Sequence, residues 1–466
     1  MNLGWLSRTK PVIAGGGARR LAGNRALVLL AAALGVLSLR SSGCAEEAKA
    51  EPGPNQAGEQ WSLHFQATVI PQGHGHFNSP YAGQNSLPSL NEIRTSYTST
   101  LFAGGRLWPG AEFYINPELS GGRGVGGVLG VAGFPNGDIA RVGQPKPTVS
   151  LARLFLRQTI GLGGEQERID PDLNQAAGTF DVSRLTFTVG KYSANDIFDD
   201  NAYSHDPRTQ FMNWALMENG AWDYPADTRG YTWGGTVELN QAGWALRYGL
   251  FAVPKDVNGP RFDHHLDRAH AHTVEWEGRY RLAARPGRVR LLGYWNLAHM
   301  GNYRRTLDTP SFNLDISRSR TYSSKFGLGL NVEQELTRDL GGFLRLGWND
   351  GRTESWEFTE IDQTVALGVS LKGAAWRRPD DVLGLAGVAN GISRDHKDYL
   401  AAGGHGFIIG DGRLNYAPEE IIETYYLFKI TKWLSATIDY QFVNNPAYNR
   451  DRGPAHIGAV RAHIEF

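Results

Sequence analysis

Hydrophobic and polar residues alternate along most of the chain after its first sixty residues. In the segment 61–69 the odd positions are apolar and the even positions are polar. A period of two predicts a β-strand with one apolar face and one polar face. The alternation is weaker at 93–105, 111–116 and 382–390. The pattern predicts about sixteen strands, at 61–70, 93–105, 111–116, 148–160, 182–190, 230–240, 243–252, 270–282, 288–299, 321–336, 342–349, 362–372, 382–390, 419–430, 433–443 and 455–466.

Long and short connections alternate between these strands. The odd-numbered connections each have eleven or more residues and are 71–92, 117–147, 191–229, 253–269, 300–320, 350–361, 391–418 and 444–454. The even-numbered ones are mostly tight turns, at 106–110, 161–181, 241–242, 283–287, 337–341, 373–381 and 431–432, with 161–181 as the exception. Antiparallel strands would place every long connection at one end of a closed sheet. This layout is typical of a transmembrane β-barrel with long external loops and short periplasmic turns.

The width of such a barrel decides which face meets lipid. Sixteen strands enclose too much space for their own side chains to fill, so we expect water inside and the apolar face in the membrane. After the leader, no stretch reaches the length of apolar residues that a membrane helix needs. Aromatic residues near strand ends would form the girdles at the two membrane–water interfaces. These residues include Trp61, Trp244, Trp348 and Trp433. The predicted fold class is therefore all-β, a transmembrane antiparallel barrel.

The first forty-five residues have the order of a secretory signal peptide. Arg19, Arg20 and Arg25 precede the apolar run 26–39, and small residues follow up to Ala45. Residues 1–45 are predicted to be a signal peptide cleaved after Ala45, and the polar residues 46–60 a flexible periplasmic lead-in to the barrel domain, 61–466. The alternative is a lipoprotein with Cys44 lipidated. Either form of export places the barrel in the outer membrane of a Gram-negative-type bacterium.

The chain ends on an aromatic residue in an alternating strand. Phe466 follows Val460, Ala462 and Ile464 on one face. This ending resembles the signal by which the barrel-assembly machinery recognises outer-membrane proteins, which makes that machinery a predicted partner. The alternative is an ordinary edge strand that happens to end here.

Composition and charge exclude several classes of protein. The 466 residues include 47 basic and 47 acidic side chains, so the formal net charge is zero. A neutral chain lacks the electrostatic attraction that dominates nucleic-acid binding. Because 11% of the residues are aromatic, the chain is not disordered. Its single cysteine, Cys44, lies in the leader, so the barrel has no disulfide framework, cysteine metal site or thiol nucleophile.

Several long segments occur in order between about residue 61 and the end of the chain. They are LFLRQTIGLGGEQE (154–167), VGKYSANDIFDDNAYSHDPR (189–208), QFMNWAL (210–216), ETYY (423–426) and DYQFVNNP (439–446). Together these segments resemble the OprB family of carbohydrate-selective porins. The resemblance implies a sixteen-stranded outer-membrane channel that favours sugars.

The third long connection, 191–229, is the longest and carries the candidate constriction. By analogy with general porins, we expect it to fold inward and narrow the channel. Sugars need planar polar groups for their hydroxyls and aromatic faces for their rings. The candidates are Asp196, Asp199, Asp200, Asn201, His205, Asp206, Arg208, Trp214 and Trp222, with Asp223 nearby. The alternative is that Asp199, Asp206 and Arg208 only pair with one another and hold the loop in shape.

Charges of both signs are expected on the lumenal wall that faces this loop. The predicted basic residues are Arg153, Arg157, Arg279, Arg281, Arg288, Arg290 and Arg345, and the acidic ones are Glu275, Glu277, Glu333 and Glu335. Mixed signs suit neutral solutes better than ions. The predicted function is selective, passive diffusion of mono- or oligosaccharides. An export barrel for an acidic polysaccharide would want a lumen of one sign, and an outer-membrane enzyme would need a catalytic group on the apolar outer rim.

Other motifs carry less weight. The glycine-rich segment 122–127 formally fits a dinucleotide-binding pattern, but no helix is predicted after it. His264, His265, His270 and His272 with Asp263 and Asp267 have no spacing that fixes a metal geometry. His205-Asp206 lacks the turn that presents a catalytic serine. We therefore predict no catalytic, metal or cofactor site; sugars and outer-membrane lipid are the predicted partners, and a homo-oligomer is left open.

Overall fold

A computed structural model describes residues 59–139 and 146–466. The predicted signal peptide, 1–45, and positions 46–58 of the predicted lead-in lie outside the described residues. Among the described residues, no helix combines the length and the apolar character needed to cross a membrane.

The described part of the chain contains eighteen strands, in chain order β1 (Trp61–His74), β2 (Glu92–Trp108), β3 (Ala111–Gly122), β4 (Thr148–Gly161), β5 (Gln166–Ile169), β6 (Gly178–Asp181), β7 (Arg184–Tyr192), β8 (Thr232–Asn240), β9 (Trp244–Ala252), β10 (His270–Leu282), β11 (Arg285–Met300), β12 (Thr321–Glu335), β13 (Leu340–Asn349), β14 (Gln363–Gly373), β15 (Arg378–Gly391), β16 (Glu419–Lys429), β17 (Leu434–Asn444) and β18 (Ala455–Glu465). All except β5 and β6 form one closed antiparallel barrel of sixteen strands. The barrel closes where β18 pairs with β1. Three short helices lie in its long connections: α1 (Trp214–Met217), α2 (Tyr303–Leu307) and α3 (Arg394–Ala401).

The prediction of sixteen barrel strands is confirmed, and the largest error in a strand boundary falls where the alternation is weak. Strand β3 continues to Gly122, beyond its predicted end at position 116. Its pairing with β4 shifts register between Asn116 and Pro117. Proline has no N–H to donate to the ladder, so the strand is irregular there and its alternation breaks. Strand β15 begins at Arg378, before its predicted start at position 382, across a register shift beside Gly373.

The connection that departs from the long–short rule has its own structure. Residues 162–183 contain the two-stranded β5–β6 sheet, which pairs Gln166 with Asp181 and Ile169 with Gly178. Every other connection at this end of the barrel is a tight turn of two to four residues, as between β8 and β9 or β16 and β17. This end therefore carries one elaborated turn, beside β4 and β7.

The two faces of the barrel are opposite in chemistry. Large apolar side chains are exposed on the outside, as at Leu328, which is 62% exposed. Arg290, Arg345 and Arg461 point inward and are fully buried. Trp61 and Trp348 are exposed near strand ends, as the predicted aromatic girdles require. A closed sheet also pairs its backbone groups without leaving an edge.

The lumen differs from the water-filled interior that the sequence suggests. Two buried hydrophobic clusters lie inside the barrel, where residues of the long connections pack against inward-facing side chains of the strands. Phe211 contacts Phe343 and Tyr425 in one cluster, with ring centroids 5.7 and 5.0 Å apart. The connections fill the space that strand side chains alone would leave empty, so the open passage is confined to one side.

Candidate functional site

The longest connection, residues 193–231, passes through the lumen and is called here the lumenal loop. Almost all of it between Phe211 and Asp227 is buried. It is anchored by polar side chains that project inward from the far wall, β10 to β18, and bind its backbone. Because a loop inside a protein must pair its peptide groups, these wall residues make the inward fold possible.

Arg345 on β13 is the principal cation under the lumenal loop. Its guanidinium donates to the carbonyl oxygens of Leu216, Asp199 and Ser204 at 2.8, 3.0 and 2.7 Å. Its Nε lies 3.1 Å from the Asp199 carboxylate. Arg345 is fully buried, so these contacts hold three points of the loop at one place on the wall.

Buried carboxylates bind loop amides in the same way. Glu423 on β16 accepts from the backbone N–H groups of Met212 and Asn213, the latter at 2.9 Å. Glu419, four residues before Glu423 on the same strand, accepts from the backbone N–H groups of Ala132 and Gly133 in the 123–147 loop, at 2.9 and 2.8 Å. Charged acceptors make stronger hydrogen bonds to amides than neutral ones do. Two long connections are therefore fixed to the same strand.

An open cavity of about 550 Å³ remains between the lumenal loop and strands β1 to β4. Its charged lining comes from the strands, from the lumenal loop and from the 123–147 loop. Arg153 on β4 binds Asp196 with two hydrogen bonds, at 2.7 and 2.5 Å. Arg208 donates to Asp138 at 2.6 Å and lies 3.9 Å from Glu118. The lining thus carries both signs of charge at short range.

Aromatic rings form another part of the cavity wall. Trp214 stacks on Phe358, with ring centroids 4.7 Å apart and an interplanar angle of 7°. Tyr224 stacks on Phe358 at 4.8 Å and 17° and on Trp214 at 5.8 Å and 18°. Phe134 packs on Trp214 at 5.0 Å. The rings of Trp214, Tyr224 and Phe358 border the cavity, which gives it an apolar, planar surface beside the charged one.

The structure divides the predicted constriction residues into two groups. Those that border the cavity are Asp196, His205, Asp206, Arg208 and Trp214, and the predicted wall residues Arg153 and Arg157 border it too. The others, Asp199, Asp200, Asn201 and Trp222, lie outside the cavity lining. Asp199 pairs with Arg345, and Asn201 donates to Asn331 at 2.7 Å. Trp222 is buried against Phe198 and Tyr224.

The remaining predicted wall charges lie behind or below the lumenal loop. Arg290 pairs with Glu277 at 2.9 Å, with Glu333 at 3.2 Å and with Asp200 at 3.3 Å. Glu275 accepts from the Asp199 amide at 2.7 Å. The others lie near the short-turn end: Arg279 pairs with Glu277, Arg288 with Asp200 and Glu333, Glu335 with Arg285, and Arg281 donates to the Ala284 carbonyl. Arg288, Arg290, Glu275 and Glu333 contact the lumenal loop directly, and none of the remaining wall charges borders the cavity.

The alternative in which Asp199, Asp206 and Arg208 pair only with one another is corrected by the structure. Asp199 binds Arg345, and the guanidinium of Arg208 binds Asp138. Asp206 accepts from the backbone amide of Arg208 at 3.0 Å and from Thr209 at 2.7 Å. Burial alone would raise the pKa of Asp206, but nearby Arg208 and these hydrogen bonds hold that pKa below its usual value.

Sequence reasoning missed several cavity residues. Glu118 and Ser120 lie on the part of β3 that follows Pro117, where the predicted strand had already ended. Asp138 belongs to the 123–147 loop and Phe358 to the 350–362 connection, and no periodic pattern marks either one. Tyr231 donates to Glu118 at 3.0 Å from the last position of the lumenal loop. Of these residues, only Glu118 and Ser120 could have been found from the sequence, because a longer prediction for β3 would have placed them on its polar face.

The histidines that the sequence offered as metal ligands lie on and before strand β10. The rings of His270 and His272 lie 4.9 Å apart, and His272 contacts the Tyr248 hydroxyl at 2.9 Å. His265 lies 2.8 Å from the Asp263 carboxylate. Within residues 59–139 and 146–466, no group of three or more His, Cys, Asp or Glu side chains is arranged to hold a metal ion.

Glu218 gives the lumenal loop a dependence on pH. Burial, together with the neighbouring Asp199 carboxylate, raises the pKa of Glu218 well above its ordinary value of 4.5. The stability that the protonated Glu218 carboxyl contributes is therefore fully present below about pH 4.5. It is lost as the pH rises through the pKa that Glu218 has in the folded protein. We expect the unfolding temperature to fall between pH 5 and pH 9, and to fall less in Glu218→Gln.

The measurement is the loss of the folded band on a heated, unboiled gel at each pH. Glu165→Gln, in an exposed part of the 162–183 turn, is the matched control and should keep the wild-type dependence. An identical fall in wild type and Glu218→Gln would contradict the role given to Glu218.

A closed sixteen-stranded barrel with an apolar outer face and a polar passage narrowed by inward loops defines an outer-membrane porin. A family model described as carbohydrate-selective porin, OprB family, matches residues 85–466. The chain belongs to this family, and its function is the selective diffusion of carbohydrates across the outer membrane. The long connections are accordingly the external loops and the short ones the periplasmic turns.

A solved structure of an OprB porin supports the fold. The high-pH structure of Pseudomonas putida OprB matches with a TM-score of 0.67 and 18% identity, covering 87% of this chain and 94% of that one. The outer-membrane channel DcaP of Acinetobacter baumannii matches with a TM-score of 0.49 and 9% identity, covering 87% and 97%. No curated protein sequence matches the chain.

Proposed function

We propose that the cavity beside β1 to β4 is the constriction at which this porin selects sugars. The observation that carries the proposal is the pairing of two surfaces in one passage. The Arg153–Asp196 and Arg208–Asp138 pairs supply planar polar groups, and the Trp214 stack supplies ring faces. A pyranose presents hydroxyl edges and an apolar face, so it complements both surfaces. The volume of about 550 Å³ is typical of a site for a small molecule.

Neutral sugars fit the electrostatics of this passage better than ions do. Three arginines of the lining, Arg153, Arg157 and Arg208, each have a carboxylate within 4 Å, so this part of the passage presents dipoles to a solute. A fourth, Arg229, donates to the Ser120 hydroxyl at 3.0 Å. A hydroxyl can donate to the carboxylates and accept from the guanidinium groups, whereas an ion of either sign meets a like charge close to its partner. Exchange between many weak contacts also allows the solute to leave, which conduction requires.

The filled lumen disfavours the alternative of polysaccharide export. The lumenal loop and the 123–147 loop are tied to the wall by buried charges, so widening the passage for a polymer would break several such contacts. The proposed channel carries out no chemical step. Of the predicted constriction residues, we assign solute contact to Asp196, His205, Asp206, Arg208 and Trp214, with Arg153 and Arg157 opposite.

Delivery and assembly are part of the same proposal. Residues 1–45 would direct export as a signal peptide, and 46–60 would form the periplasmic lead-in. The barrel-assembly machinery would recognise the last strand, where Phe466 pairs with Phe65 through both backbone groups, at 2.8 and 3.0 Å. The exposed apolar belt would contact outer-membrane lipid. Association into a homo-oligomer would be measured by the mass of the detergent-solubilised protein.

Removal of either constriction arginine tests the proposal. The refolded protein is placed in a planar bilayer, and glucose, a disaccharide and an oligosaccharide are titrated in turn. We expect concentration-dependent block in the wild type and a weakening of about tenfold or more in Arg153→Ala and in Arg208→Ala, because each loses a charge-assisted hydrogen-bond donor. Arg268→Ala, on an exposed external loop away from the cavity, should behave like the wild type.

Unaltered conductance and sugar block in both arginine variants would refute the assignment of this cavity. A folded barrel with no conductance steps would instead point to a plugged lumen.

A further inference from the structure

The periplasmic turn 162–183 enters the lumen from the side opposite to the lumenal loop. Its middle part, residues 170–177, joins β5 to β6 and folds back against the inner face of the barrel. The Ala176 amide donates to the Tyr114 hydroxyl at 3.0 Å, and Arg157 donates to the Asn174 carbonyl at 3.0 Å. Asn116 donates to the Asn174 side-chain oxygen at 2.8 Å. Three inward-facing side chains of β3 and β4 thus hold the turn.

A second set of contacts holds the end of this segment. Arg106 on β2 donates to the Ala177 carbonyl at 2.9 Å, and the Glu59 amide donates to the same oxygen at 3.1 Å. The Tyr114 and Asn116 side chains that receive the turn are buried, at 1% and 0% exposure. A hairpin surrounded by solvent would have no buried partners. The turn therefore packs against the inner wall of the barrel at its periplasmic end.

The geometry of the turn directs three residues to the passage. Asp172 and Gln175 form a two-way backbone bridge, at 3.1 and 3.0 Å. Asn174 has a φ of +55°, in the left-handed region that asparagine tolerates better than most residues. Asp172, Leu173 and Asn174 border the same cavity as Arg153 and Arg208.

We propose that residues 172–174 form an inner lip of the pore, a second selectivity element on the periplasmic side. This inference rests on the proposed sugar constriction and deepens it. A sugar that leaves the arginine pairs would next meet the Asp172 carboxylate and the Asn174 amide, which exchange hydrogen bonds with hydroxyls. The Asp172 charge also sets the preference for cations over anions at the exit. The passage is therefore narrowed by an external loop and by a periplasmic turn.

Charge reversal on the lip separates this role from a structural one. The reversal potential of the refolded protein is measured under a KCl gradient. In Asp172→Lys we expect the cation-to-anion permeability ratio to fall about twofold to fourfold, because a positive charge replaces a negative one beside the ion path. Asp170→Lys is the matched control: Asp170 lies two residues away, is exposed, pairs with Arg168 at 3.5 Å and does not border the cavity. It should keep the wild-type ratio.

A shortened turn tests the sugar contact. Replacing residues 170–177 by three glycines removes the lip, and we expect larger conductance steps and weaker sugar block. Where this variant fails to refold, Asp172→Lys decides alone. It removes one hydrogen bond inside the turn, from the Leu173 amide to Oδ1, but none of the contacts that tie the turn to the barrel wall uses the Asp172 side chain. An unchanged permeability ratio in Asp172→Lys, or an equal change in Asp170→Lys, would overturn the proposal.

Arg153→Ala, measured in parallel, keeps the two proposals apart. If Arg153→Ala weakens sugar block and the lip variants change neither block nor ion preference, only the inner lip is refuted. If the lip variants change ion preference and Arg153→Ala leaves sugar block unchanged, the constriction assignment fails and the lip remains as an ion-selective element.

Discussion

Replacing Arg345 with alanine is expected to release the lumenal loop from the barrel wall. The change removes donors to the carbonyls of Leu216, Asp199 and Ser204 and leaves the Asp199 carboxylate buried without its cation. Breaking one side of a buried ion pair costs about 3–5 kcal/mol. We expect noisy conductance with frequent changes of level, loss of sugar block and a lower unfolding temperature, recorded in a planar bilayer and on heated, unboiled gels.

Two further variants identify the cause of this effect. Arg345→Lys keeps the charge, but a single ammonium cannot reach all three carbonyls and the carboxylate, so it should be intermediate. Arg345→Met combined with Asp199→Asn removes both charges and should recover part of the lost stability. Arg268→Ala is the control, because Arg268 is 53% exposed, pairs with Asp267 in an external loop and has no ion pair with the lumenal loop. Quiet, wild-type conductance in Arg345→Ala would show that the loop holds its place without this residue.

Replacing Trp214 with alanine is expected to have the second large effect. Trp214 is 5% exposed and stacks on Phe134, Phe358 and Tyr224. Its removal empties the centre of the stack, and a truncation of this kind costs about 3–5 kcal/mol of stability. The void opens into the cavity, so we expect larger conductance steps together with weaker sugar block. The two effects are measured in the same bilayer recordings with glucose titrated.

A change in conductance alone would not establish an aromatic contact with sugar. Trp214→Phe restores a ring and should return most of the sugar block while keeping a slightly wider passage. Trp376→Ala, in a periplasmic turn at the outer surface, tests for a general effect of losing a tryptophan and should leave both quantities unchanged. Wild-type block in Trp214→Ala would show that sugars do not use this stack.

The two predictions concern opposite faces of one loop. Arg345 and Glu423 hold the face that meets the wall, whereas Asp196, Arg208 and Trp214 border the cavity on the other face. Loss of the first face should destabilise the constriction as a whole, and loss of a residue on the second should change selectivity in a stable channel. A variant with noisy conductance therefore indicates a residue on the wall face of the loop. A variant with stable conductance and altered sugar block indicates a residue on the cavity face.

The sequence by itself determined the barrel. Its period of two, from Trp61 to Phe466, and its alternating long and short connections are local properties of neighbouring residues, and each strand places them on opposite faces. Errors arose at Pro117 and near Gly373, where bulges interrupt the alternation. The length and polar composition of the 191–229 segment also predicted it as the constriction loop. The unusual length of the 161–181 connection set it apart from the other short turns.

Only the tertiary structure decided which charges border the cavity. Asp196 and Asp199 are three residues apart and of one type, yet Asp196 borders the cavity and Asp199 is buried on Arg345. Within an irregular loop no period relates position to direction, so the partner of each side chain depends on strands that are distant in sequence, 43 residues away for Asp196 and 146 for Asp199. Arg153 and Arg345 share an inward orientation. The loop covers Arg345 and leaves Arg153 beside the passage, because its buried part packs against β10 to β18 and only its polar side chains reach β3 and β4.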